Sequence, residues 1–246
     1  MKRDILFSII LLFIFQNSIA QNDKNVSEKW NELDKKIVNA TIDKEDAVEL
    51  MKEYNAQLRK YYRTSVIVSS KREDWVFPLK NFTSIRYRDY GNDYKVLGYD
   101  YFQGSNTKGH PAHDIMILDS NKDLMDDSTK SPVDVVSMSG GIVVATDTTW
   151  SVGSLLRGGK YVKIFDVSND GIFYYSHLSE VNVRAGDIVL PGDKIGEVGR
   201  TGRKAILAPG KTHLHVAYLR FENDYPFPED IIADLRNSQK KLPTVK

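Results

Sequence analysis

The chain has 246 residues, of which 41% are hydrophobic and 27% charged, and its formal net charge is +1. That balance fits a soluble globular protein and supplies no bulk attraction to a polyanion, so no nucleic-acid partner is expected. Cysteine is absent. A disulfide framework, a thiolate metal site and a thiol nucleophile are therefore excluded, and any metal must be held by histidine and carboxylate.

Residues 1–20 read as a signal peptide. Lys2 and Arg3 precede an apolar run from Ile5 to Phe15, broken only by Ser8, and Ser18-Ile19-Ala20 offers small residues at a cleavage site before Gln21. The run falls short of the roughly 18 apolar residues of a spanning helix, so export without a stable membrane span is expected.

Residues 21–70 follow a helical period. Trp30, Leu33 and Ile37 recur at three and four. After Thr41-Ile42, Asp43 can cap a second helix with Glu45 and Asp46 in its first turn and an apolar stripe of Ala47, Leu50, Met51, Tyr54, Leu58 and Tyr61. A helical hairpin is predicted, packed on the domain, lying over its active groove or binding a partner.

Residues 71–222 change regime at Trp75-Val76-Phe77-Pro78. Short runs rich in Val, Ile and Tyr alternate with Gly, Asp and Asn turns. Strands are predicted over Asp114–Leu118, Val133–Met138, Gly141–Thr146, Tyr161–Val167, Ile172–His177, Ile188–Leu190, Lys194–Val198 and Thr212–Arg220. No helix-length periodicity intervenes, which predicts a mainly β fold, an antiparallel sandwich or barrel-like domain behind the helical hairpin. The acidic segment Asp119 to Asp127 opens like a calcium loop. It lacks glycine at the sixth position and has Lys130 where a bidentate Glu is needed, so it reads as a solvated loop. Pro226 and Pro228 are expected to end the β region, leaving residues 223–246 as a tail with one short helix.

The histidines are the chemical signal. There are five. In Lys211-Thr212-His213-Leu214-His215-Val216-Ala217-Tyr218 the alternation predicts a strand, so His213 and His215 share a face and Leu214, Val216 and Tyr218 share the other. His110 and His113 lie beside Asp114, and His177 ends Tyr174-Tyr175-Ser176-His177. The residues alone leave His110 and His113 as rival partners of Asp114. Adjacent strand residues point to opposite faces, which argues against His113 and predicts it outside the site, supporting it or on the surface.

Gly109-His110-Pro111-Ala112-His113-Asp114, Tyr174-Tyr175-Ser176-His177-Leu178 and His213-Leu214-His215, in this order, resemble the zinc peptidases of the lysostaphin and LytM type, the M23 family. The resemblance spans roughly Trp75 to Phe221 and includes Gly199-Arg200-Thr201-Gly202. It implies one zinc ion held by His110, Asp114 and His215, with His177 and His213 as the catalytic pair; the spacing itself does not say which histidine does which. It further implies an endopeptidase that cuts peptide bonds of bacterial peptidoglycan, in a stem peptide or a cross-link, in the cell envelope or outside the cell.

Two histidines and a carboxylate would leave zinc a fourth position for water, the mark of a catalytic site. Zinc lowers the pKa of that water to about 7, and histidine can move protons at that pH. Two other readings fit part of the pattern. A non-enzymatic relative would bind the cell wall or activate another hydrolase, although such relatives usually lose ligands and all five polar positions are present. A non-haem iron oxygenase uses the same ligand types, though more often spaced H-x-D.

Overall fold

The computed structural model describes residues 26–64, 71–86, 93–207 and 210–242, and the side chains of all these except residues 63 and 64. The expected signal peptide lies outside them. Among the described residues no helix is long and apolar enough to cross a membrane.

The helical hairpin is present. Helix α1 is described over residues 26–38 and α2 spans Lys44–Thr64, beginning just after Asp43. The Trp30 indole donates to Asn55 Oδ1 at 3.0 Å, joining the two.

Among the described residues eleven strands follow, all paired antiparallel: β1 (Ser84–Ile85), β2 (His113–Met116), β3 (Asp134–Val136), β4 (Gly141–Asp147), β5 (Lys160–Asp166), β6 (Gly171–Leu178), β7 (Glu180–Val181), β8 (Ile188–Val189), β9 (Lys194–Glu197), β10 (His213–Glu222) and β11 (Tyr225–Glu229). Helix α3 (Ile232–Gln239) follows β11. The large sheet has the order β1-β2-β10-β6-β5-β4-β8, with β11 also on β10, and a small sheet runs β3-β9-β7. All eight predicted strands overlap observed ones, and the fold is mainly antiparallel β with an N-terminal helical region.

The C-terminal reading needs correcting. Pro226 and Pro228 do not end the β region: they sit within β11, opposite Phe221 and Leu219 of β10. Proline lacks the amide donor, and an edge strand can leave that position without a ladder bond. Nor is the rest a free tail, because Ile231 and Leu235 are fully buried.

Alternation on the strands splits the core in two. Leu214, Val216 and Tyr218 of β10 join Val162, Ile164, Phe173 and Tyr175 on one face of the large sheet, under the small sheet, α3 and Trp75. Leu219 and Phe221 join Ile142, Phe165 and Ile172 on the other face, where Trp30, Leu33, Ile37, Met51 and Leu58 of the helices cover them. The hairpin is therefore a layer of the core. At roughly 1.5–3 kcal/mol for each large buried side chain, its removal would expose more apolar surface than the fold tolerates.

A buried polar cluster fixes the hairpin's position. Asp34 of α1 is fully buried and pairs with Lys163 of β5. Its other contacts are the hydroxyls of Tyr161 at 2.7 Å and Tyr101 at 2.9 Å. Arg59 of α2 is bonded to Asp170 and Asp224 at the opposite end. These charges are costly to desolvate, so they specify one docking position rather than add much net stability.

Candidate metal and catalytic centre

The face of the large sheet that carries the hairpin continues beyond it. Ala217, His215 and His213 of β10 follow Leu219 on that face, and register places His215 opposite Asp114 of β2. His110 precedes β2 and is held by a two-way backbone bridge with Lys95. Asp114 Oδ1 lies 3.2 Å from His110 Nε2 and 3.1 Å from His215 Nδ1. One ligand atom from each of these residues lies within 4.8 Å of the others, a spacing that can hold a metal ion.

The donor set fits a divalent metal. His110 Nδ1 faces the Asp93 carbonyl at 3.1 Å, so that nitrogen carries the proton and Nε2 is left as a lone-pair donor toward Asp114. The second carboxylate oxygen, Asp114 Oδ2, is 4.0 Å from the Arg86 guanidinium, which is itself 3.2 Å from Asp93.

Two further imidazoles complete the cluster. His213 Nδ1 is 2.7 Å from the Lys211 carbonyl, and His177 Nδ1 is 2.7 Å from the Thr201 carbonyl. Donation to a carbonyl protonates Nδ1 in both and leaves Nε2 basic. His213 Nε2 stands 3.7 Å from Asp114 Oδ1. The His177 ring lies 4.9 Å from that of His213 and 5.4 Å from that of His215, centre to centre.

His177 reaches this face only through an irregularity. Strict alternation on β6 puts Tyr174 and Ser176 on the site face, Phe173 and Tyr175 in the opposite core, and His177 with the latter. Between β5 and β6 the register slips: Tyr161 pairs with Ser176 and Lys160 with Leu178, which leaves His177 as the extra residue of a bulge. Its φ is +65°, left-handed backbone that a non-glycine residue rarely adopts. At this residue of the cluster the strain accompanies a bulge, a feature that commonly re-aims a side chain.

Gly199 and Gly202 make room for it. A Cβ on Gly202 would stand 2.8 Å from His177 Nδ1 and 2.4 Å from the Arg157 carbonyl. A Cβ on Gly199 would stand 2.7 Å from the His177 carbonyl. The sequence pattern gave no sign of the bulge; these glycines were the available signal.

Burial and charge divide the titrating groups. Burial pushes the Asp114 carboxyl up, yet its close pairing with His110 and His215 and the charges of His213 and His215 outweigh it and hold it well below the usual carboxylate range. Burial lowers His215 to about 4, with its bond to Asp114 opposing. Burial, reinforced by His213 and His215, holds His177 well below the ordinary imidazole value. The lowered values keep His177 and His215 neutral beside an ionised Asp114, whereas at His110 burial is outweighed by Asp114 and Asp93, which raise it above the ordinary imidazole value.

The other candidates fall elsewhere. His113 is buried on the opposite face rather than at the surface, with Nε2 3.0 Å from Asp230 and its ring stacked on Tyr94. It thus ties β2 to the segment before α3. Tyr99 and Tyr174 line the pocket, while Tyr175 is in the core and its hydroxyl accepts the Met138 amide proton. The sequence also offers Tyr87 and Tyr90, with Tyr99, as aromatics for a substrate groove; Tyr87 and Tyr90 lie outside the described residues. The carboxylates of the acidic loop are occupied by backbone amides: Asp119 accepts from Asp123 and Leu124, Asp127 from Ser120, and Asp126 from Ser128 and Thr129.

The pocket over the cluster has a volume of about 360 Å³ and runs from His177 and His213 to Ile37 and Val38 at the end of α1. One side is closed by Gly104, whose Cβ, were there one, would lie 2.0 Å from the Ile37 carbonyl.

A model described as peptidase family M23 matches residues 123–226. That stretch holds His177, His213 and His215, and it begins after His110 and Asp114. No curated protein matches the chain. Among solved structures, the catalytic domain of the antimicrobial peptidase lysostaphin from Staphylococcus simulans is 25% identical, covering 60% of this chain and 90% of that one, with a TM-score of 0.39. A putative glycyl-glycine endopeptidase LytM from Ruminococcus gnavus is 20% identical over 80% of this chain and 73% of its own, with a TM-score of 0.45. A putative peptidase M23 from Pseudomonas aeruginosa is 19% identical over 72% and 57%, with a TM-score of 0.39.

Proposed function

We propose that this chain, whose residues 123–226 match the model of peptidase family M23, is an exported zinc endopeptidase of that family that hydrolyses peptide bonds in bacterial peptidoglycan. The observation that supports this reading most is the convergence of His110 Nε2, Asp114 Oδ1 and His215 Nδ1, with two more imidazoles beside them.

His110, Asp114 and His215 would hold the ion. Zinc held there supplies a Lewis acid and an acidified water. The chain's own residues supply the rest. The carbonyls of Asp93, Thr201 and Lys211 fix the tautomers of His110, His177 and His213. His177 and His213 each present a basic Nε2 to the pocket. One takes a proton from the attacking water and passes it to the leaving amine; the other, carrying a proton taken up from solvent, donates to the oxyanion of the peptide carbonyl. Arg86 and Asp93 hold Asp114 and His110 from behind. The apolar wall of Ile37, Leu219 and Leu156 limits water at the reacting bond.

The test is incubation of the mature chain with purified peptidoglycan sacculi and zinc, followed by mass spectrometry of the soluble products. New peptide termini name the bond. A zinc-loaded protein that binds sacculi yet releases no peptide would overturn the enzymatic reading in favour of a wall-binding relative. Stoichiometric iron in protein purified without added metal would favour the oxygenase reading.

A further inference from the structure

Beside the pocket lies a second, open recess of about 440 Å³. Lys108, Arg157, Arg203 and Lys204 line it, and no acidic residue does. Among the described residues no ion pair engages any of these cations. On a chain of net charge +1, four unpaired cations around one hollow is a local concentration of charge.

The hollow is built by three loops tied to each other. Arg157 donates through Nη1 to the Thr107 carbonyl and through Nη2 to the Gly109 carbonyl at 3.4 Å. These acceptors orient the guanidinium and leave its charge uncompensated. The Arg203 amide donates to the Leu156 carbonyl at 3.0 Å, which places Arg203 next to Arg157. The Lys108 amide donates to the Gly98 carbonyl at 3.2 Å. The recess also joins the catalytic pocket: Ser105, Thr107, Gly109, Arg157 and Lys204 line both. Gly202, against the Arg157 carbonyl, is the residue packed on His177.

We propose that this recess binds a carboxylate of the peptide substrate, so that the enzyme selects peptides with an acidic group on one side of the bond it cuts. The inference rests on the peptidase reading for its substrate. A peptide is favoured over a polyphosphate or a lipid because the recess and the pocket share walls, so one extended chain can occupy both. Arg157 gives direction and the three exposed cations give field, an arrangement that acts on encounter and on orientation.

The experiment uses the mature zinc-loaded chain and its Lys108→Gln/Arg203→Gln variant, both changes being exposed side chains outside the histidine cluster. The substrates are untreated sacculi and sacculi whose carboxylates have been amidated. Losing a charge-assisted contact should cost the parent about tenfold in rate on amidated sacculi. The variant should cleave untreated sacculi as slowly as the parent cleaves amidated ones and be indifferent to amidation. In parallel, calorimetry compares an N-acetylated peptide containing glutamate with its glutamine counterpart; the parent should prefer glutamate by a similar factor and the variant should not. Equal cleavage of both sacculi by the parent, with equal binding of both peptides, overturns the recess and leaves the peptidase reading standing. Preferential glutamate binding without any hydrolysis keeps the recess and sinks the peptidase reading. Tighter binding of inorganic phosphate or anionic vesicles than of the glutamate peptide overturns the choice of ligand.

Discussion

The five polar residues of the cluster divide by what their loss removes. His110→Ala, Asp114→Ala and His215→Ala each delete one of three converging ligand atoms. They are expected to lose bound zinc and activity together, as metal analysis after dialysis would reveal. His177→Ala and His213→Ala should keep the ion and lose about 10²–10⁴-fold in turnover, the usual worth of a positioned acid or base. Retention of zinc by His215→Ala with loss by His213→Ala would reverse the assignment on β10. Gly202→Ala tests the bulge: a methyl 2.8 Å from His177 Nδ1, at a residue with φ of +112°, must displace one or the other. A fall in turnover of about 10²-fold with zinc retained is expected, since a displacement near 1 Å costs about that much. Unchanged turnover would mean the ring does not need its present position. Asp166 gives a pH signature of its own. It is fully buried, and burial raises its carboxyl to about 6, offset only in part by Asn169, Trp75 and Ser139. A raised pKa means the folded state holds the proton more tightly than the unfolded one. The stabilisation is full below about 4, the unfolded value, and is lost as pH rises to about 6. Asp166→Asn keeps an acceptor for Asn169 and cannot ionise. Its melting temperature should match the parent's near pH 4 and exceed it above pH 6, by about 2–3 kcal/mol in stability. A constant difference across that range would count against an ionising Asp166.

At the scale of elements, the hairpin had three readings in the sequence: a partner-binding element, a removable cover or a packed layer. Its residues bury Trp30, Ile37, Met51 and Leu58 against β4, β5, β6 and β10, and its Asp34 sits among Lys163, Tyr101 and Tyr161. Deleting residues 27–63 is therefore expected to give insoluble protein. A soluble, more active product would restore the cover reading. A gentler probe is Asp34→Ala, which leaves the Lys163 ammonium buried and unpaired. It should cost about 3–5 kcal/mol in chemical denaturation, whereas a double replacement of Asp34 and Lys163 by apolar residues should cost much less. Similar losses for the single and double replacements would show that the pair does not matter as a pair. Strand positions were legible because period-2 alternation is a local property. The short strands β1 and β7 offered too few residues for a pattern. In β11 the prolines hid a strand that needs a ladder bond on one side only.

For the molecule as a whole, the sequence made plain which side chains were chemically unusual and left open how they meet. His213 and His215 on one face followed from alternation alone. The place of His110 depended on spacing known from a family, and the orientation of His177 ran against local parity, so only tertiary structure could supply it. The fate of His113 shows the same limit: alternation put it off the site face, but its burial against Asp230 is set by a residue 117 positions later in the chain. The recess of cations was invisible for a related reason, since Lys108, Arg157 and Arg203 are scattered across three loops that meet only when the sheet has formed.

Asp114 and His215 are separated by 101 positions, yet they are direct cross-strand neighbours. Under the proposed function, a nascent chain therefore holds only a weak two-donor fragment until β10 has been made, and chelation would wait for β10 to slot between β2 and β6. Under the proposed function, which ion is captured is then decided by whatever is available where β10 docks, and not where translation starts. Refolding the denatured chain in buffers of different metal content, then exchanging all samples into one buffer, would reveal whether that late choice is remembered.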